Sequence, residues 1–255
     1  MTELKRLLVN HDRIRESYEK GNYLELTVKE NHYLSRVLRL KRGDQFNVID
    51  GMGNLWTADF IQKNIVRLCT DLGSPSESCA KPYPEICLAV AVPKIGFDDV
   101  LRMSCEIGID TLLPINTERS LYNDVSCQRF ARWQAILNEA VEQSERLWKP
   151  KLKNMTSFSD WTNTVSDNFV FTIGTTRLDE AIYLEKLLLN LDEAKDEIWV
   201  AIGPEGGWTD NELDVAKKKN CIYVEFGESI LRTSTAAISA CQLLCSWRRS
   251  SSYVS

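Results

Sequence analysis

Residues 202–213 read Ile202-Gly203-Pro204-Glu205-Gly206-Gly207-Trp208-Thr209-Asp210-Asn211-Glu212-Leu213. The stretch follows a compact apolar run, Ile198–Ile202, whose composition predicts a buried strand. It ends in a helix start, with Thr209 as cap and Glu212 three residues on to reach back, the pattern of a capping box. Three glycines and a proline take four of the five positions 203–207 between the two. Glycine admits backbone angles closed to other residues and lets a ligand approach the main chain, while proline fixes its own φ. The loop is therefore expected to hold one shape, with Glu205 bracing it by accepting backbone N–H bonds. Ligands of open α/β sheets gather at the carboxyl ends of the strands.

A second junction has the same grammar. The apolar run Cys221–Phe226 passes through Gly227-Glu228-Ser229-Ile230-Leu231-Arg232 into a helix of small residues beginning near Thr233. Two strand–glycine–helix junctions about twenty residues apart predict neighbouring strands whose loops line one pocket. Gly174, closing the apolar run Phe169–Ile173, is a third contributor.

The rest of the chain from Ile86 alternates. Strands are expected at Ile86–Val92, Thr111–Pro114, Phe169–Ile173, Ile198–Ile202 and Cys221–Phe226. Helices are expected at Asp98–Ile107, Gln128–Glu145, Leu178–Leu191, Asp210–Asn220 and Ser234–Trp247. That order predicts a mostly parallel sheet with helices on both faces. Glu142 and Arg146, four apart, read as an intrahelical pair.

The first third differs. Phe46–Asp50 and Leu55–Phe60 flank a Gly51-Met52-Gly53-Asn54 turn and read as a hairpin, with further strands at Tyr23–Val28 and Ile65–Cys69. Asn31–Leu40 reads as a helix with Leu34, Val37 and Leu38 on its inner face and His32, Arg36 and Arg39 on another. Lys41 and Arg42 extend that basic face, which suits either solvent or phosphate. Asp71–Pro84 is rich in Gly, Ser and Pro and reads as a linker. The expected organisation is thus a small β-rich domain over 1–73, a linker over 74–84 and an α/β domain over 85–255.

Bulk properties exclude several classes. The 255 residues are 44% hydrophobic and 26% charged, an ordinary globular balance. No apolar run is long enough to span a bilayer, and the first residues lack the apolar core of a signal peptide, so a cytoplasmic protein is expected. The net charge of −5 argues against indiscriminate nucleic-acid binding. Lys and Arg nevertheless outnumber Asp and Glu by 12 to 10 in residues 1–75, against 19 to 26 thereafter. Eight cysteines form no C-x-x-C pair, and no metal site is expected. Cys87, Cys221 and Cys241 fall in apolar runs and read as small core residues.

These segments together resemble a known family. His32, Ser35–Leu40, Arg42-Gly43-Asp44, Lys94, Glu106-Ile107-Gly108, Pro114, Glu118-Arg119-Ser120, Glu139-Ala140, Glu142-Gln143-Ser144 and Arg146 carry part of the likeness. Gly203–Gly207 and Gly227–Thr233 carry its most specific part. The chain resembles the SPOUT-superfamily RNA methyltransferases of the RsmE type, which methylate uridine N3 in small-subunit 16S ribosomal RNA. It departs from the usual family pattern at Met103, Glu145 and Ser234.

The resemblance implies a PUA-like β-barrel for RNA, followed by a SPOUT α/β domain with a C-terminal trefoil knot. It also implies S-adenosylmethionine as methyl donor, a homodimer, and 16S rRNA in the assembled small subunit as partner. Cofactor contacts fall on Gly174, Ile202, Gly203, Pro204, Glu205, Gly206, Gly207, Phe226, Gly227, Ser229, Ile230, Leu231 and Thr233. Arg232 and Glu142 are the candidates for the chemistry: a cation to stabilise an anionic base, and a proton acceptor. His32, Arg36, Arg39, Lys41, Arg42 and Arg119 are the candidate RNA contacts. Two alternatives stand beside this reading. One is an enzyme binding a nucleotide phosphate at the Gly203–Gly207 loop, which lacks the Lys-Ser/Thr of a P-loop. The other is a catalytically inactive RNA-binding protein retaining the fold.

Overall fold

The structure is a computed structural model, and it describes residues 4–166, 168–176, 178–191 and 195–251. The chain divides into two compact units. The first runs to Lys81 and takes in Asn138–Lys149; the second holds Pro82–Leu137 and the chain from Pro150. The expected division into 1–73 and 85–255 takes no account of the Asn138–Lys149 return.

The first unit is built on a six-stranded sheet. Its elements are β1 (Arg6–Leu8), α1 (His11–Glu19), β2 (Tyr23–Glu25), α2 (Val28–His32), β3 (Gln45–Ile49), β4 (Asn54–Gln62), β5 (Ile65–Leu68) and β6 (Glu77–Ser78). The strand order is β1-β3-β4-β5-β2, with β6 added to β4, and every pairing except β1–β3 is antiparallel. The expected hairpin is β3–β4, in register from Gln45–Asp59 to Ile49–Leu55. Leu7, Ile14, Leu34, Phe46, Val48, Trp56 and Val66 form its core.

Three expectations in this unit are corrected. The strand expected to run to Val28 stops at Glu25, because Thr27 and Glu30 form a capping box that starts a helix at Val28. The helix expected over Asn31–Leu40 is instead α2 continued by a π-helical turn, Tyr33–Val37, in which the Leu38 amide donates to the Tyr33 carbonyl. One extra residue per turn rotates the positions after it about the helix axis, so Leu34 is buried but Val37 is 58% exposed. Arg39 lies beyond the helix at φ +58°. Finally, the expected linker is pinned to this unit. β6 pairs Asn54–Leu55, the Cys79 amide donates to the Gly53 carbonyl, and Trp148 Nε1 donates to the Cys79 carbonyl.

The second unit carries β7 (Glu85–Ala91), α3 (Phe97–Ile107), β8 (Thr111–Asn116), α4 (Cys127–Gln143, whose end belongs to the first unit), β9 (Lys151–Leu152), β10 (Thr156–Ser157) and α5 (Phe158–Thr162). Then come β11 (Phe169–Gly174), β12 (Ile182–Tyr183), α6 (Leu184–Leu189), β13 (Glu197–Ile202), α7 (Asp210–Lys217), β14 (Ile222–Glu225) and α8 (Thr233–Ser251). All eight strands pair in parallel, in the order β10-β8-β7-β13-β11-β14-β12 with β9 on β8. Near-continuous apolar runs make these strands, as a sheet covered on both faces requires. Ile198–Ile202 and Ile86–Val90 are almost fully buried side by side. α8 returns from β14 to pack on α3 and β7.

The helix expected over Leu178–Leu191 is shortened to α6. Ile182–Tyr183 pair with Val224–Glu225 as an edge strand, a tertiary pairing that overrides helix propensity. Among the described residues, no helix is long and apolar enough to cross a membrane, and no group of three His, Cys, Asp or Glu could hold a metal ion.

Candidate functional site

The carboxyl ends of β11, β13 and β14 surround one cavity of about 800 Å³. Parallel pairing puts Gly174 beside Ile202 on one side and beside Val224 on the other, so the three loops that leave these strands converge. Every residue expected from Gly174, Ile202–Gly207 and Phe226–Thr233 lines this cavity, with Arg119, Thr175, Leu178, Tyr183, Trp208 and Glu225.

The Gly203–Trp208 loop is held from several directions. The Gly207 amide donates to the Pro204 carbonyl, closing a turn with Gly207 at φ +69°. Thr209 and Glu212 make the expected capping box for α7. Thr233 Oγ1, at the start of α8, donates to the Gly203 carbonyl at 3.0 Å. The Lys94 amide donates to Glu205 Oε1 at 3.1 Å, so Glu205 braces the loop as expected. Trp208 Nε1 donates to the Gly174 carbonyl at 3.0 Å, and its ring lies so close beneath Gly203 that a Cβ there would sit 2.9 Å from it. At Gly174 a Cβ would meet the Phe226 ring at 2.7 Å. These two glycines are required by close packing rather than by their backbone angles.

Trp208 is not among the residues expected from sequence, although its position inside the glycine loop is an available signal. Thr175 is also a new member. Its Oγ1 is buried at the cavity wall without a hydrogen-bond partner among the described residues. Ile230 is 66% exposed there. Such a cavity, with apolar walls from Ile202, Phe226 and Leu231 and an unspent hydroxyl, has the size and character of a small-molecule site.

The other expected residues lie elsewhere. His32, Arg36, Arg39, Lys41 and Arg42 are exposed around the π-helical turn and the segment after it. Arg119 lines the cavity rather than a separate surface, and its Nη1 donates to the Gly206 and Trp208 carbonyls at 2.9 and 3.1 Å. Glu142 does not line the cavity. It sits in the first unit, where Oε1 accepts the Leu8 amide at 2.8 Å. Arg146, expected on the same helix, lies beyond it, because α4 ends at Gln143 and Glu145 turns the chain at φ +60°.

Burial pushes the Glu142 carboxyl up from 4.5 to about 7, against the opposing pull of the Leu8 amide. The folded state therefore holds a proton that the unfolded chain releases. Below the unfolded value the group is neutral in both states. Between it and about 7 stability falls as pH rises, and the full penalty stands above that window. A shift of this size corresponds to about 3 kcal/mol at most. Glu142→Gln is expected to match the parent in denaturant midpoint near pH 4 and exceed it at pH 8. Equal midpoints at both pH values would refute this.

Comparison with known proteins matches two stretches of the chain. An RNA methyltransferase domain matches residues 80–245, and an RNA methyltransferase PUA domain matches residues 26–68. The chain is 38% identical over 215 residues to ribosomal RNA small subunit methyltransferase E of Synechocystis sp., covering 83% of this chain and 69% of that protein. This chain belongs to the ribosomal RNA small subunit methyltransferase E family. The Rickettsia conorii member is 30% identical, with 82% and 83% of the two chains covered. The Neisseria gonorrhoeae member, solved bound to S-adenosyl methionine, superposes with a TM-score of 0.80 at 23% identity over 96% of this chain and 98% of that one. A probable rRNA-methyltransferase from Porphyromonas gingivalis gives 0.78 at 23% identity, with 97% and 100% covered. The family resemblance, the mostly parallel sheet and the PUA-like first unit expected from sequence are thereby borne out.

Proposed function

We propose that the chain transfers a methyl group from S-adenosylmethionine to N3 of a uridine in 16S ribosomal RNA. The observation that carries the reading is the cavity built by the Gly203–Trp208 and Phe226–Arg232 loops at the ends of β13 and β14. Its fit to the cofactor rests on volume, apolar walls and the Thr175 hydroxyl, which has no hydrogen-bond partner among the described residues. Bound there, S-adenosylmethionine supplies a methyl carbon already activated by its sulfonium. The protein's share is mainly positioning. Ile202, Phe226 and Leu231 would supply apolar contact to the bound cofactor, and Thr175 would offer its hydroxyl to a polar group of it.

Uridine N3 must lose its proton, which passes to solvent water, as it attacks the methyl carbon and the sulfonium leaves as the neutral thioether. Arg232, exposed at the cavity, is suited to stabilise the developing anion. Glu142 takes no part in this reading beyond holding the Leu8 amide.

The first unit, 1–73 with its linker, serves as the RNA-binding domain of this reading, and 85–255 as the catalytic one. Arg36, Arg39, Lys41 and Arg42 expose cations whose side chains have no hydrogen-bond or ion-pair partner among the described residues. Replacing all four by alanine is expected to weaken binding to 16S rRNA and to lower the salt slope by about 0.7–0.9 for each phosphate that is no longer neutralised. S-adenosylmethionine affinity should stay unchanged in that variant. An unaltered salt slope would remove these residues from the interface. The reading further includes a cytoplasmic homodimer, the assembled small subunit as substrate, and the trefoil knot.

Calorimetric titration tests the cofactor assignment. S-adenosylmethionine and its demethylated product should compete for one site per chain, and ATP should not displace them. Displacement by ATP alone would favour the nucleotide-phosphate alternative. RNA binding without any S-adenosylmethionine binding would favour the inactive one.

A further inference from the structure

We propose that Arg119 is a positioning residue for the glycine loop of the cavity, not a contact for RNA phosphate. The inference rests on the cofactor reading above and assigns a role to a side chain that sequence alone sent to the RNA.

Arg119 stands on a tight turn after β8. The Thr117 amide donates to Ser120 Oγ, and the Ser120 amide donates back to the Thr117 carbonyl. The turn is tied to the start of α7 from both sides. The Glu118 amide donates to Glu212 Oε1 at 2.9 Å, and Asn211 Nδ2 donates to Glu118 Oε1 at 2.8 Å. Glu212 is the same side chain that closes the capping box of α7. The backbone carrying Arg119 is therefore fixed before its side chain reaches the loop.

From that base one nitrogen, Nη1, takes two carbonyls that are two residues apart, Gly206 and Trp208. Two carbonyl dipoles converging on one point repel each other unless a cation lies between them. The guanidinium is that cation, and its bonds are charge-assisted. The geometry needs Gly207 between the two carbonyls in its left-handed conformation, φ +69°. The Arg119 stem also lies on Gly206, where a Cβ would come within 3.2 Å of Arg119 Cβ. Charge and packing thus act on the same peptide units.

The neighbouring carbonyls are spent as well, Gly203 on Thr233 and Pro204 on the Gly207 amide. Removing Arg119 would free the Gly206 and Trp208 carbonyls together and let the turn relax. Trp208, whose indole is bonded to Gly174, would move with it. A phosphate contact predicts something different, since its loss would leave the loop in place.

The experiment compares Arg119→Ala and Arg119→Lys with the full-length parent by three measurements. For Arg119→Ala we expect S-adenosylmethionine affinity to fall about 10- to 50-fold by calorimetry, corresponding to about 1.4–2.3 kcal/mol. Amide hydrogen exchange of Gly206, Gly207 and Trp208 should quicken in the ligand-free protein, and millimolar guanidinium should restore part of both properties. Arg119→Lys, which keeps the charge, should fall between. Binding to 16S rRNA and its salt slope should match the parent. Unchanged loop exchange and cofactor affinity, with weaker RNA binding and a salt slope lowered by about one, would overturn the proposal. If the parent itself fails to bind S-adenosylmethionine, the cofactor reading falls. The exchange and guanidinium measurements then still decide whether Arg119 holds the loop.

Discussion

Gly203→Ala is expected to lower S-adenosylmethionine affinity about 30- to 100-fold while leaving the chain folded. The added methyl would stand 2.9 Å from Trp208 Cε2 and 3.0 Å from its Nε1, closer than real side chains approach. The indole cannot simply withdraw. Its Nε1 is bonded to the Gly174 carbonyl, and its ring packs on Phe158 at 4.9 Å between centroids. Overpacking of this kind costs about 1–3 kcal/mol. Relief requires breaking the Trp208–Gly174 bond, shifting the loop, or both. Either route deforms the wall shared by β11 and β13, so most of the cost should appear as lost affinity. Gly207→Ala is the informative contrast. Open space surrounds that position, so only the strain of a left-handed residue, about 1 kcal/mol, would be felt. Calorimetry on both variants, with indole fluorescence to follow Trp208, checks the order of effects. Equal affinities in parent and Gly203→Ala would separate the cavity from cofactor binding.

Arg248→Met is expected to cost the most stability of any single change considered, about 3–5 kcal/mol. Arg248 is 8% exposed and Asp110 7%. Nη1 donates to Asp110 Oδ2 and to the Pro84 carbonyl, and Nη2 donates to the Gly108 carbonyl. Asp110 Oδ2 also accepts the Ile86 amide at 2.9 Å. The pair thus joins the end of α8 to the start of β7 and the turn before β8. Removing the guanidinium takes a charge-assisted partner from a buried carboxylate. That loss is what makes the single change costly, since a buried pair replaced as a whole can be nearly neutral. Combining Arg248→Met with Asp110→Asn should therefore recover part of the loss. A double-variant cycle by denaturant unfolding measures the coupling directly. Additive losses, or a single loss below about 1 kcal/mol, would mean that the pair behaves like an exposed one.

The second unit is legible in sequence because its strands are buried on both faces and so appear as unbroken apolar runs. Ile86–Val92 and Ile198–Ile202 need no partner to be recognised, and observed bounds shift by a residue or two. Thr209 and Glu212 announce α7 for a local reason, the capping box. The same local signal stands at Thr27 and Glu30, and it explains why β2 is shorter than its apolar pattern suggests. Features that depend on distant partners are not legible. Ile182–Tyr183 look helical until β14 lies beside them. The π-helical turn at Tyr33–Val37 leaves no mark in residue type, yet it decides that Val37 faces outward.

Much the same holds for the site. The glycines mark the cavity, but the reason for Gly203 is the Trp208 ring and the reason for Gly174 is Phe226. Those reasons lie across the sheet. The charges of Arg119 and Glu142 suggest function in the sequence. The structure shows how those charges are spent, on two loop carbonyls for one and a backbone amide for the other.

Labelled S-adenosylmethionine should be incubated with the purified chain and small ribosomal subunits lacking uridine N3-methylation, and the 16S rRNA digested to nucleosides. Label in N3-methyluridine, reduced about 30- to 100-fold by Gly203→Ala at limiting cofactor, is the predicted result. Label in another nucleoside, or none despite measurable S-adenosylmethionine binding, would contradict it.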